Sequence, residues 1–267
     1  MNKTLCVVFS LLLPAAASAQ SFAVTNARIF DGERLIPRGT VVVRDGKIES
    51  VGADVKVPEG VQAVDAAGAT LLPGLIDSHT HVFPGVLERA LAFGVTTELD
   101  MGGDPAPIRS LREEQARPGG APGRADVLSS GYFATTAGSH GTQFGMALPT
   151  LSKPEEAASW VDARLAEGSD YIKIIVEDFS AYGATPTPFL SKETVAALVQ
   201  ATHSKGKLAV AHIGAASFAR TTVEAGVDAL VHIFADRVAD ADFVRLAAER
   251  KIFVVPTLTV VESYNGV

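Results

Sequence analysis

Cysteine is almost missing: the only one in 267 residues is Cys6, inside an N-terminal stretch that reads as a removable leader. Without it, disulfides, thiolate metal ligands and a cysteine nucleophile are all excluded. Basic charge is also scarce, with 22 Lys and Arg against 30 Asp and Glu once Lys3 is set aside. Such a balance offers no footprint for nucleic acid or an anionic bilayer. Long apolar runs are missing too, because Leu5 to Leu13 is too short to span a membrane. No Gly-x-Gly-x-x-Gly follows an apolar run, which weakens a dinucleotide-binding reading.

Residues 1–20 have the order of a secretory signal. Met1-Asn2-Lys3 starts it with positive charge, the apolar run follows, and Ala17-Ser18-Ala19 offers a small-x-small cleavage site. The expected destination is the periplasm or the outside of the cell.

Residues 21–72 read as a small β portion. Thr40-Val41-Val42-Val43 is β-branched, Asp45-Gly46 is a hairpin turn signal, and Lys47 to Gly52 is the return strand. From Pro73 to Val267 the texture changes. Four helical patterns close with Gly94, Gly168, Gly206 and Gly226, each followed directly by an apolar strand. Apolar strands alternating with helices imply parallel strands covered on their outer face. Seven are expected, near 75–81, 95–100, 126–133, 171–176, 208–213, 229–234 and 252–258. Seven β/α units suggest a (β/α)₈ barrel, with a doubly wound open sheet as the alternative.

Chemistry gathers at the strand ends. Pro73-Gly74-Leu75-Ile76-Asp77-Ser78-His79-Thr80-His81 ends in two histidines that a strand projects to one face. Alone, His-x-His is a weak signal. Lys173 lies within the fourth strand, His212 at the end of the fifth and His232 at the end of the sixth. Carboxyl-end residues of a barrel converge on one site. A lysine in an apolar strand is costly to bury charged, and desolvation favours its neutral amine. A neutral amine can react with CO₂ to give a carbamate able to bridge two cations; pairing with Glu177 or Asp178 is the equal alternative.

These residues, in this order, resemble the amidohydrolase superfamily, in particular its imidazolonepropionase-like and prolidase-like branch. The resemblance implies a (β/α)₈ barrel carrying a small β-sandwich. It implies two divalent ions, zinc by donor chemistry, held by His79, His81, His212 and His232 and bridged by carboxylated Lys173. The implied reaction is hydrolysis of a C–N bond in a small amide or dipeptide by a hydroxide activated between the ions. His140 and Tyr132, on or near the loop after the third strand, resemble substrate contacts. The family's proton-handling Asp on an eighth strand has no counterpart here, so the expected barrel lacks its last β/α unit, and turnover is expected to be impaired. A non-catalytic metal-binding remnant and a mononuclear deaminase are the other readings, and a homo-oligomer is left open.

Overall fold

A computed structural model describes residues 21–117, 119–145, 147–234 and 236–264; the leader expectation lies outside the described residues. The chain divides into two compact units. One is the chain up to Pro73 with Ala116–Gly120, and the other is Gly74–Gln115 with Ala121–Val267.

In the first unit β1 (Phe22–Phe30) pairs antiparallel with β2 (Leu35–Arg44), which pairs antiparallel with β3 (Lys47–Gly52). Asp45 and Gly46 both have positive φ, as a two-residue hairpin turn matching the strand twist requires. β4 (Gln62–Asp65) and β5 (Thr70–Leu71) run parallel to β1 on its other side. Ala27, Ile29 and Val41 form its core. Among the described residues this unit holds one sheet, whereas the expected sandwich needs a second, facing layer.

Among the described residues the second unit contains seven parallel strands. β6 (Leu75–Thr80), β7 (Val95–Asp100) and β8 (Asp126–Ser129) form one run; β9 (Ile172–Val176), β10 (Ala209–Ile213), β11 (Ala229–Val231) and β12 (Phe253–Val255) form another. The runs meet where Ala134 bridges β9, donating to the Lys173 carbonyl and accepting from the Ile175 amide. Seven helices alternate with the strands: α1 (Val86–Ala92), α2 (Pro105–Gln115), α3 (Ala157–Ala166), α4 (Lys192–Ser204), α5 (Ala216–Ala225), α6 (Ala241–Glu249) and α7 (Leu258–Tyr264). None of the helices among the described residues is long and apolar enough to cross a membrane. The four anticipated glycines all have φ between +66 and +102° at or just past a helix end, where a side chain would be strained.

Strand alternation sorts the apolar residues of β9 to β11 into two cores. Ile172, Ile174, Val176, Ala209, Ala211, Ile213 and Leu230 pack outward with residues of α3 to α6 such as Val161, Leu198 and Val223. At roughly 1.5–3 kcal/mol for each large side chain, this layer carries most of the burial. Tyr171, Val210, Ala229 and Val231 point the other way and meet Met101 in a smaller inner core. Lys173 and His212 share that inner parity.

Three strands are shorter than the sequence suggests. β8 ends at Ser129 because Gly131 has φ +59°, and β11 ends at Val231 because His232 has φ +71°. β12 ends at Val255, since Pro256 has no N–H to donate and Thr257, at φ +46°, turns the chain into α7.

Among the described residues β6 pairs only with β7 and β12 only with β11, so two edges stay open. Ile76 and Val254 on them are 61% and 47% exposed. Open apolar edges template pairing with other chains. The purified chain is therefore expected to self-associate, and Ile76→Lys with Val254→Lys to shift its light-scattering mass toward the monomer. An unchanged distribution would refute this.

Candidate metal centre at the strand ends

The inner carboxyl ends of the second unit hold a chain of imidazoles. His81 and His79 lie 5.7 Å apart between ring centroids, His79 and His232 4.7 Å, His232 and His212 4.6 Å, and His212 and His140 4.7 Å. Residues of the first, fifth and sixth strand ends thus meet, which requires the sheet to curl on itself.

Local irregularities aim these rings. Asp77 lies opposite Glu98 and Thr80 opposite Asp100, so the register slips by one residue between them. A bulge of this kind switches which side chains face inward. His232 follows inward-facing Val231 and would point out toward the helices by alternation. Its left-handed φ turns it inward instead, with its N–H still bonded to the Val255 carbonyl at 2.9 Å.

Backbone and hydroxyl partners fix the ring nitrogens. His81 Nδ1 is 2.9 Å from the Gly102 carbonyl, which can only accept, so Nδ1 carries the hydrogen and Nε2 keeps its lone pair. His232 Nδ1 is 2.6 Å from Thr257 Oγ1. Gln143 accepts from the Gly141 N–H through Oε1 and so presents its amide NH₂ to His140 Nδ1 at 2.9 Å. That leaves the His140 hydrogen on Nε2, making this ring a donor rather than a metal ligand.

Burial holds all five imidazoles below the usual histidine range, and the Lys173 charge acts on each in the same direction. His79 falls to about 2, and His140 and His232 to about 4. Lys173, 3% exposed, is brought down to about 7 by burial, which the Asp100 charge partly offsets. The metal-free chain therefore presents neutral imidazoles beside an amine that loses its proton near neutral pH.

The ion-pair alternative for Lys173 is not what forms. Glu177 Oε1 accepts from the Phe179 N–H at 2.6 Å, and Asp178 Oδ1 accepts from the Ser180 N–H and hydroxyl. Among the described residues Lys173 has no carboxylate at ion-pair distance. Asp100, at the end of β7, is the acid whose charge reaches it, and its own oxygens accept from the Val82 N–H and Ser129 hydroxyl.

Of the seven residues singled out in the sequence, six come together: His79, His81, Lys173, His212, His232 and His140. Tyr132 does not join them. Its ring lies 5.7 Å from the Arg164 guanidinium of α3, on the helix side of the chain. Three contributors were missed. Asp100 could have been found, as an acid ending an apolar strand just before Gly102-Gly103. Thr257 and the Gly102 carbonyl carry no such signal, because only tertiary contact brings them to the rings.

Two buried polar atoms here have no hydrogen-bond partner, His79 Nδ1 and Glu177 Oε2. Buried donors and acceptors are seldom left so, and a bound cation is one way to satisfy them. Among the described residues, no three His, Cys, Asp or Glu side chains are gathered closely enough to hold an ion as they stand. The donor chemistry fits a divalent ion of the zinc type, and binding would draw the rings inward.

Parallel strands under an outer helix layer, with imidazoles and one buried lysine at their carboxyl ends, define a TIM-type barrel with a histidine cluster at its mouth. A family model described as the NagA composite domain matches residues 21–71. Over 84 residues the chain is 42% identical to the imidazolonepropionase of Salinispora arenicola, covering 31% of this chain and 20% of that protein. Over 52 residues it is 42% identical to the dihydroorotase of Mycobacterium tuberculosis, covering 20% and 11%. The fold matches a solved amidohydrolase at TM-score 0.75 and 23% identity, covering 90% of this chain and 66% of that one. A Xaa-Pro dipeptidase structure matches at TM-score 0.73 and 22% identity, covering 90% and 67%. The chain shares the fold of these solved structures, and its sequence likeness to the imidazolonepropionase and the dihydroorotase is confined to 84 and 52 residues. It spans about two thirds of these solved structures and a fifth or less of the two curated relatives.

Proposed function

We propose that the chain builds the metal centre of an exported hydrolase that cleaves C–N bonds in small amides or dipeptides. The observation that carries this is the run of five imidazoles at the strand ends, 4.6–5.7 Å apart between neighbouring ring centroids, with the deeply buried Lys173 on the same inner face. In this reading His79 and His81 would hold one divalent ion and His212 and His232 a second. Lys173, whose neutral amine can add CO₂ with loss of a proton, would supply a carbamate as an anionic oxygen ligand to them. Such a pair of ions supplies Lewis acidity toward a carbonyl and toward water.

The chain's own residues then have separate tasks. His81 and His232 keep their Nε2 atoms turned to the ions because Gly102 and Thr257 occupy their Nδ1 atoms. His140 supplies an N–H donor for a substrate carbonyl oxygen. The inner core of Tyr171, Val210 and Val231 closes the floor of the site against water. A proton-handling carboxylate, expected from the resemblance on an eighth strand, would enter beside the open edges of β6 and β12.

A test is zinc uptake by the metal-free chain with amine release from a dipeptide panel. Two equivalents of zinc and chelator-sensitive amine release are expected. His79→Ala with His81→Ala should abolish both, and absence of zinc uptake by the unaltered chain would refute the proposal. The open edges favour a second reading, a metal-binding remnant, for which zinc binds and no amine is released.

A further inference from the structure

Glu177 is wholly buried, yet only half of its carboxylate is used. It follows β9 with the inward parity of Lys173, and Oε1 accepts from the Phe179 N–H. Oε2 has no partner and stands 4.0 Å from His212 Nε2. The neighbouring strand end is shaped around this oxygen. A Cβ on Gly214 would come within 1.8 Å of Oε2 and 2.9 Å of Tyr182, so any larger residue there would evict the carboxylate. Burying an acid beside an imidazole and giving one oxygen nothing to bond is costly unless something else occupies the gap.

Charge points the same way. Two divalent ions carry four positive charges, of which a single Lys173 carbamate would offset one, so a further anionic oxygen ligand is valuable in a dry site. Asp100, by contrast, already has a hydrogen-bond donor on each oxygen, from the Val82 N–H and the Ser129 hydroxyl. A tetrahedral ion with ligands about 2.0–2.2 Å away separates two donor atoms by roughly 3.4 Å. The observed spacing needs to close by only about half an ångström to reach that value.

We propose that Glu177 Oε2 is a direct ligand of the divalent ion held by His212, giving that ion a carboxylate besides its imidazoles. Oε1 stays on the Phe179 N–H and locks the carboxylate's orientation. This rests on the metal-centre reading above and adds a ligand to it.

Zinc titration of the metal-free protein tests it, with stoichiometry by elemental analysis and affinity by calorimetry. Glu177→Gln keeps the shape and the acceptor for Phe179; it should lose one equivalent of zinc or weaken one site by more than tenfold. Gly214→Ala should do the same by displacing the carboxylate, while Asp178→Asn should leave both sites intact. Circular dichroism confirms that each variant is folded. In the cobalt(II)-loaded protein, Glu177→Gln should also change the visible absorption of one ion. If the unaltered chain takes up two zinc ions and Glu177→Gln takes up two with unchanged affinity, this inference fails and the metal centre stands. If the unaltered chain takes up none, both fail.

Discussion

Replacing Lys173 with methionine is expected to make the metal-free chain more resistant to urea at pH 7 while cutting its zinc content from two ions to one. The lysine is 3% exposed, and burial brings it to about 7, whereas an unfolded lysine titrates near 10.4. Between these values the unfolded chain holds a proton that the folded chain gives up. Stability therefore rises with pH across that window, and the cost of burial is fully present below pH 7. At about 1.4 kcal/mol per pH unit, methionine, which fills similar space without charge, should recover about 2–4 kcal/mol. The gain should shrink as the pH is raised toward 10, which a simple packing improvement would not do. Losing the bridging group then removes an ion. Urea melts at pH 7 and 9.5, with zinc analysis, measure both effects. A less stable variant at pH 7, or one that retains both ions, would count against the assignment of Lys173.

Much of the barrel was legible because its signals are local. An apolar run ended by glycine encodes strand and helix cap together, and the alternation of Tyr171, Lys173 and Ile175 fixes which side chains face inward. His212 followed from the same alternation. His79, His81 and His232 could be placed at strand ends, but how their rings are aimed could not be read. The bulge after Asp77 and the left-handed φ of His232 aim their rings, and neither leaves a residue-level signature. A reader applying alternation strictly would have turned His232 toward the helices. Glu177 was seen only as a counter-ion for Lys173, because a sequence gives no sign that Phe179 takes one carboxylate oxygen and Gly214 makes room for the other. What escaped detection was contributed by contacts between distant segments, such as Gly102 with His81 and Thr257 with His232.

Acid should unfold the metal-free chain earlier than its carboxylates alone require. An unfolded histidine takes its proton near pH 6.5, whereas His140 and His232 wait until about 4 and His79 until about 2, with His81 and His212 also lowered. From pH 6.5 downward the unfolded chain therefore binds more protons than the folded one, and stability falls with pH through that window. Two groups act in the opposite sense. Burial raises Glu177 and Glu98, so the folded chain takes up their protons first and gains stability as the pH falls. Five imidazoles outweigh two carboxyls, and protonating one ring further disfavours its neighbours at 4.6–5.7 Å. A net loss of about 2 kcal/mol or more between pH 6.5 and 4.5 is expected, already discounted for the exposure of His81 and the partial exposure of His79, His140, His212 and His232. Zinc needs the same lone pairs, so saturating zinc should hold the urea midpoint up at pH 7 and lose that effect as protons displace it. His79→Asn with His232→Asn should flatten the slope of stability against pH. A metal-free chain whose urea midpoint stays level from pH 7 to 4.5 would mean the imidazoles are not buried together, and the metal centre would lose its physical basis.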